Sequence, residues 1–362
     1  MSRRTVLAAA AASVAGACTG GSPVTPPVET KAGGGPGPGS IPANLTVVAA
    51  ELDVPWDLAF LPDGAALATL RDTGQVVRIR PGADPVTVGT VPGVVPGGEG
   101  GLLGLALSPA FASDGGVYAY HTAASDNRIV RLTYSGDSLG GGDVIVGGIP
   151  KSAIHNGGRI RFGPDGMLYA GTGDGSARGS SQDLESLGGK ILRVRPDGSV
   201  PSDNPYGSLV WTYGHRNVQG IGWDASGRMF ASEFGQDSYD ELNLVQKGGN
   251  YGWPVVEGPS TDRRFVPPLQ TWRVADASPS GIAVTPDGVV YLAALRGQRL
   301  WRVAVRADGT VQSVTALYQE TYGRLRHVAV GPDGHLWIVT SNRFRGRPGP
   351  TDDRVVILPD LA

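Results

Sequence analysis

Cysteine is almost missing: Cys18 is the single one in 362 residues, so no disulfide can close within the chain and no multi-cysteine metal centre can form. Charge is sparse too. Charged residues make up 18%, where ~25% is usual, and the formal net charge is −2. That balance argues against a general nucleic-acid binder, which needs a net basic surface. The early apolar run that ends at Ala17 falls short of the ~20 residues a membrane anchor needs. Glycine (56) and proline (28), in contrast, are abundant. Helix interiors reject both, so a helical bundle or coiled coil is excluded. With 40% hydrophobic residues and seven Trp, disorder of the whole chain is excluded as well. The length suits about two average domains or one large all-β domain.

The N-terminus carries processing signals. Ser2-Arg3-Arg4-Thr5-Val6-Leu7, the apolar run and the small residues after it form an export signal. The paired arginines resemble a twin-arginine signal, and Ala15-Gly16-Ala17-Cys18 resembles a lipobox whose cysteine is acylated. A plain secretory signal with a chance cysteine is the alternative. Residues 19–43 hold seven Gly and six Pro, too little apolar surface to fold. The expected organisation is therefore 1–18 signal, 19–43 tether and 44–362 folded body. The location it implies is the cell-surface or periplasmic side of a membrane, lipid-anchored at Cys18.

The body repeats. Pro62-Asp63-Gly64, Pro164-Asp165-Gly166, Pro286-Asp287-Gly288 and Pro332-Asp333-Gly334 each join two short apolar segments. Proline presets the first turn position and glycine takes the one with positive φ, so each unit is a hairpin. Weaker copies start near Pro109 and Trp223, which brings the count to six. A second hairpin class, Arg195-Pro196-Asp197-Gly198 and Arg306-Ala307-Asp308-Gly309, suits the outer strands of the same units. Six repeats of four strands predict an all-β fold, a six-bladed β-propeller with four-stranded antiparallel blades, rather than a sandwich or solenoid. Long insertions would then gather on one face, at the mouth of the central channel.

Four segments stand outside the repeat. His155-Asn156-Gly157-Gly158-Arg159 puts an imidazole beside two glycines, where a ligand can approach closely, and imidazole exchanges protons near neutral pH. Such a histidine can also simply satisfy a turn. Gly214-His215-Arg216-Asn217 sets a cationic fork beside an amide, suited to carboxylates and carbonyls. Glu233-Phe234-Gly235-Gln236-Asp237, running on to Asp240-Glu241 and Asn250-Tyr251-Gly252-Trp253, suits an oxygen-seeking cation or a solvated acidic loop. Arg296, Arg324 and Arg326 are late cations; Arg324 and Arg326, two apart on a strand, share one face.

Together with Pro55-Trp56, Glu99-Gly100-Gly101-Leu102, Gly189-Lys190-Ile191-Leu192-Arg193, Asp203-Asn204-Pro205 and Ser278-Pro279-Ser280-Gly281, these motifs resemble, in order over roughly 45–358, the soluble quinoprotein glucose/sorbosone dehydrogenases. The resemblance implies a pyrroloquinoline quinone (PQQ) cofactor, calcium, aldose sugars as substrates and an external electron acceptor. It implies that His155 is the catalytic base, taking the proton of the anomeric hydroxyl. Arg216, Asn217, Arg324 and Arg326 would contact PQQ, Arg296 stands where some members have lysine, and Glu99 would face the active site. The carbonyls of Gly235 and Gln236 would bind one calcium, and Glu241 with the Tyr251 carbonyl a second, structural one. Three positions depart: Gln236 replaces a typical proline and should loosen its loop, Ile154 leaves the partner that orients His155 unidentified, and His327 replaces a frequent Asp. Two rival readings of the same fold are a calcium-dependent lactonase and a non-enzymatic propeller that binds glycan or protein.

Overall fold

The computed structural model describes residues 31–32 and 45–358; the export signal and all of the tether except Lys31–Ala32 lie outside the described residues. Each hairpin expected from the repeat is present. The strands Pro55–Phe60, Ala66–Leu70, Gln75–Ile79 and Val86–Thr90 lie side by side in that order as blade 1. Blades 2 to 5 repeat this, with inner strands Leu102–Leu107, Ile160–Phe162, Val218–Trp223 and Pro279–Val284; blade 5 carries a fifth, outermost strand, Lys31–Ala32, parallel to Val311–Leu317, so that part of the expected tether is paired. The inner strand of blade 6, Leu325–Val330, packs on that of blade 5 and on that of blade 1, which closes a six-bladed propeller. The turn chemistry accounts for the hairpins. At Pro62-Asp63-Gly64, Gly64 adopts φ 82° and Asp63 Oδ1 accepts the Ala65 N–H at 3.1 Å.

Burial falls from the axis outward. Leu102–Leu107 is buried at every residue but the last, whereas only Val88 is buried in the outer strand Val86–Thr90. Blade 6 is built from both ends of the described body. Its fourth strand is Thr46–Ala49, antiparallel to Val355–Ile357. No repeat signature marks that strand.

The Pro-Asp-Gly turns all lie at one end of the barrel. At the other end lie the loops that enter each inner strand and those that join second to third strands, including the long segments 172–189 and 341–354. One connection breaks this rule. In blade 4, residues 246–269 leave the turn end and climb back along blade 3, where Tyr251 N–H bonds Tyr213 O at 2.9 Å and Trp253 N–H bonds Gly214 O at 2.8 Å. Inside the channel, buried Asp57 accepts two bonds from Arg161, at 2.8 and 2.7 Å, and pairs with Arg159 and with His327. His327 thus belongs to this plug and does not reach the cavity described next.

Candidate active site

Where the inner strands begin, a cavity of ≈ 330 Å³ opens at the loop-rich end. Its wall includes Glu99, His155, Arg216, Asn217, Arg296, Arg324, Arg326, Gly235 and Gln236, so residues from five blades meet there. Glu241 and Tyr251 do not join them; they line a small neighbouring cavity with Glu233 and Glu257. A larger cavity of ≈ 410 Å³ lies at the opposite mouth, but Leu58, Phe60, Leu107 and Phe162 make its wall largely apolar, and the only ionisable groups there, Arg161 and His327, belong to the plug. The chemistry is at the smaller one.

His155 sits at φ 61° on the loop entering blade 3, and its N–H donates to Glu99 Oε2 at 3.0 Å. Its Nδ1 lies 2.8 Å from Asp174 Oδ1, while Trp253 Nε1 donates to Asp174 Oδ2 at 2.9 Å. Burial alone would raise the Asp174 pKa, but the bonds from His155 and Trp253 hold it below the usual carboxylate range. An ionised Asp174 only accepts, so His155 carries its proton on Nδ1 and keeps the Nε2 lone pair free for a substrate proton. Asp174 is the orienting partner that Ile154 does not supply. The signal for it was Gly173-Asp174-Gly175, a carboxylate between two glycines at a strand end. A Cβ at Gly173 would lie 1.8 Å from the His155 carbonyl oxygen.

The cations face inward. Arg326 is buried, donates from Nη1 to Gln219 Oε1 at 2.8 Å, and leaves Nε without a partner; Arg324 Nε is also unpartnered. Burial, then the charges of Arg71 and Arg324, push the Arg326 pKa well down. Arg216 stacks over Trp253 at 5.5 Å and donates to Gln236 Oε1 at 2.9 Å. Asn217 Oδ1 accepts the Gly157 N–H at 2.8 Å, which ties the two motifs together. Arg296 lines the cavity from an exposed position. Buried cations with unsatisfied donors are costly unless an anion meets them, so this wall fits a ligand with several carboxylates. Glu99 is already engaged: besides the His155 N–H it takes Arg345 Nη1 at 2.7 Å, a rim cation the sequence did not flag.

Among the described residues no cluster of three or more His, Cys, Asp or Glu side chains could hold a metal ion. A cation here would need main-chain oxygen, as the Gly235–Gln236 reading requires. Asp240 is close, accepting the Gly235 N–H at 2.9 Å, and burial pushes its pKa up to about 6. The Gln236 N–H is not loose as expected from the missing proline; it donates to Glu257 Oε1 at 2.8 Å. At the second place, buried Glu241 shares Asn243 Nδ2 with Glu233, and Asn243 Oδ1 has no partner. Burial and the Glu233 charge push the Glu241 pKa well up. Two carboxylates and an orphaned amide oxygen suit a hard cation.

Compared with known proteins, residues 52–346 match the Glucose / Sorbosone dehydrogenase family. Aldose sugar dehydrogenase YliI of Escherichia coli is 30% identical over 335 residues, covering 82% of this chain and 90% of its own. Quinoprotein glucose dehydrogenase B of Acinetobacter calcoaceticus is 34% identical over 257 residues, 60% of this chain and 54% of its own. Among solved structures, the PQQ-bound aldose sugar dehydrogenase of Streptomyces coelicolor has a TM-score of 0.84 at 50% identity, covering 89% of this chain and 98% of its own.

Proposed function

The chain belongs to the Glucose / Sorbosone dehydrogenase family, and from that premise we propose that it oxidises aldose sugars at the anomeric carbon to lactones, using PQQ and calcium. One observation carries this reading: unsatisfied buried arginine donors and a His–Asp pair face the same cavity. Arg216, Arg324 and Arg326 would hold the carboxylates of PQQ, and Arg296 would add charge at the edge. Bound there, PQQ supplies the acceptor for the hydride that leaves the sugar carbon. His155 takes the proton of the anomeric hydroxyl on Nε2, and Asp174 stabilises the imidazolium that forms. Asn217 fixes the glycine turn beside the base. The carbonyls of Gly235 and Gln236 would hold a catalytic calcium, and Glu241 with the Tyr251 carbonyl a structural one. Electrons leave to an external acceptor.

The lactonase and glycan-binding alternatives gain no support, since the characterised relatives named above are dehydrogenases. Reconstitution decides the matter. Apo-protein given PQQ and calcium should gain quinone absorbance and sugar-dependent dye reduction. Chelation should abolish the dye reduction, and calcium should restore it better than magnesium, whose octahedral demands suit a carbonyl loop poorly. Lactone hydrolysis without PQQ, or neither activity, would overturn the proposal.

We also propose that the protein is exported and anchored through Cys18, on the strength of the lipobox-like sequence and the Gly/Pro-rich stretch after it. Cys18→Ser should shift it from membranes to the soluble exported fraction with unchanged specific activity. Equal membrane retention of the variant would sink the anchor.

A further inference from the structure

Glu257 lies on the climbing connection of blade 4 and meets the loop 235–239 from the small neighbouring cavity, not from the catalytic one. Its Oε1 accepts four successive backbone N–H groups: Gln236 at 2.8 Å, Asp237 at 3.0 Å, Ser238 at 2.9 Å and Tyr239 at 3.1 Å. Converging N–H groups of this kind form a nest for an anion. Burial alone would raise the Glu257 pKa; these bonds keep it low.

The nest has a geometric consequence. In a planar trans peptide the C=O points opposite to the N–H. With the N–H groups of Gln236 and Asp237 aimed at Glu257, the carbonyls of Gly235 and Gln236 are directed away from it. Gln236 lines the catalytic cavity, Gly235 lies between that cavity and the small one lined by Glu257, and both oxygens, opposed to N–H groups aimed at Glu257, point away from that carboxylate. Glycine at 235 is part of the fit: a Cβ there would lie 2.7 Å from Glu257 Oε1 and 1.8 Å from the Tyr239 carbonyl oxygen. A proline at 236 would stiffen the loop but offer no N–H. Gln236 forgoes that stiffness and supplies one of the four bonds.

We propose that Glu257 is the positioning residue of the catalytic cation site, touching neither cation nor sugar and acting through the orientation of the Gly235 and Gln236 carbonyls. The inference rests on the calcium reading above. Its neighbour Gly258 donates its N–H to Glu241 Oε1 at 2.8 Å, so the two places read as cation sites hang on adjacent residues of one segment. They can still be told apart by experiment.

Apo-protein with a fixed amount of PQQ is titrated with calcium, and PQQ capture is read by absorbance. In Glu257→Gln the calcium midpoint should rise about tenfold to a hundredfold, as expected when charged hydrogen bonds become neutral ones. Glu257→Asp keeps the charge but withdraws it by one methylene, and should shift the midpoint nearly as far. Excess calcium should restore capture in both. The calcium-dependent gain in melting temperature should survive in both Glu257 variants and disappear in Glu241→Gln, which keeps the two sites separate. An unchanged midpoint in both Glu257 variants overturns the inference, as does a shift in Glu257→Gln alone, which would mean charge and not placement. A capture defect that no calcium concentration repairs overturns it too. A wild type that captures no PQQ at any calcium concentration refutes the underlying reading instead, and the inference falls with it.

Discussion

Substituting His155 with glutamine should lower turnover by about 10²–10⁴-fold, the usual range for general acid–base catalysis, and leave PQQ capture nearly intact. Glutamine can still donate toward Asp174, but it offers no basic nitrogen to the sugar hydroxyl. The pH–rate profile should lose the limb that reports imidazole protonation. Steady-state dye reduction and a PQQ titration on the same preparation check both halves. If PQQ binding disappears and the residual holo-enzyme rate is unchanged, His155 is a cofactor ligand and Glu99 becomes the first candidate base. The geometry weighs against Glu99, because its oxygens are already taken by the His155 N–H at 3.0 Å and Arg345 at 2.7 Å.

Arg326→Met should move two measurements in opposite directions. The guanidinium is buried, its acceptors Gln219 and Ser280 are neutral, and the charges of Arg71, Arg324 and Arg159 oppose it against a smaller favourable effect of Glu99. In the cofactor-free protein this cation costs free energy, and an apolar side chain of similar volume often stabilises by ~1–4 kcal/mol. Melting of the apo-variant should therefore stay level or rise. PQQ loses a buried charged partner, which costs about 3–5 kcal/mol, or roughly 10²–10⁴-fold in affinity. A lower apo melting temperature together with undiminished PQQ affinity would show that the guanidinium is structural.

The fold was legible because its signal is local. Each Pro-Asp-Gly turn is decided within four residues, and the same decision recurs around the ring. The candidate site was legible where function needs unusual neighbours, such as His155 before two glycines or Arg216 beside Asn217. What escaped depends on chain placement. Asp174 reaches His155 from a loop 19 residues on. Trp253 and Glu257 reach the site only because residues 246–269 climb from the turn end of blade 4, a path that no periodicity announces. Gln236 was misjudged for the same reason: a missing proline reads as slack unless the acceptor for the freed N–H is known. The closing strand Thr46–Ala49 was hidden because its partners lie at the far end of the body.

That closing strand also fixes where the chain enters the ring. Thr46–Ala49 runs toward the loop-rich end, since Ala49 leads through residues 50–54 into Pro55, where blade 1 begins. Leu45 therefore enters the ring at the turn end, the side opposite the cavity that holds His155. Among the described residues the chain is held once before that, where Lys31–Ala32 pairs in parallel with Thr315–Ala316 on the outer edge of blade 5, so a lipid proposed at Cys18 would pull on the rim of the disc. Neither the rim contact nor the entry at Leu45 lies at the axial cavity that holds His155, so such a leash would leave the mouth of the cavity clear.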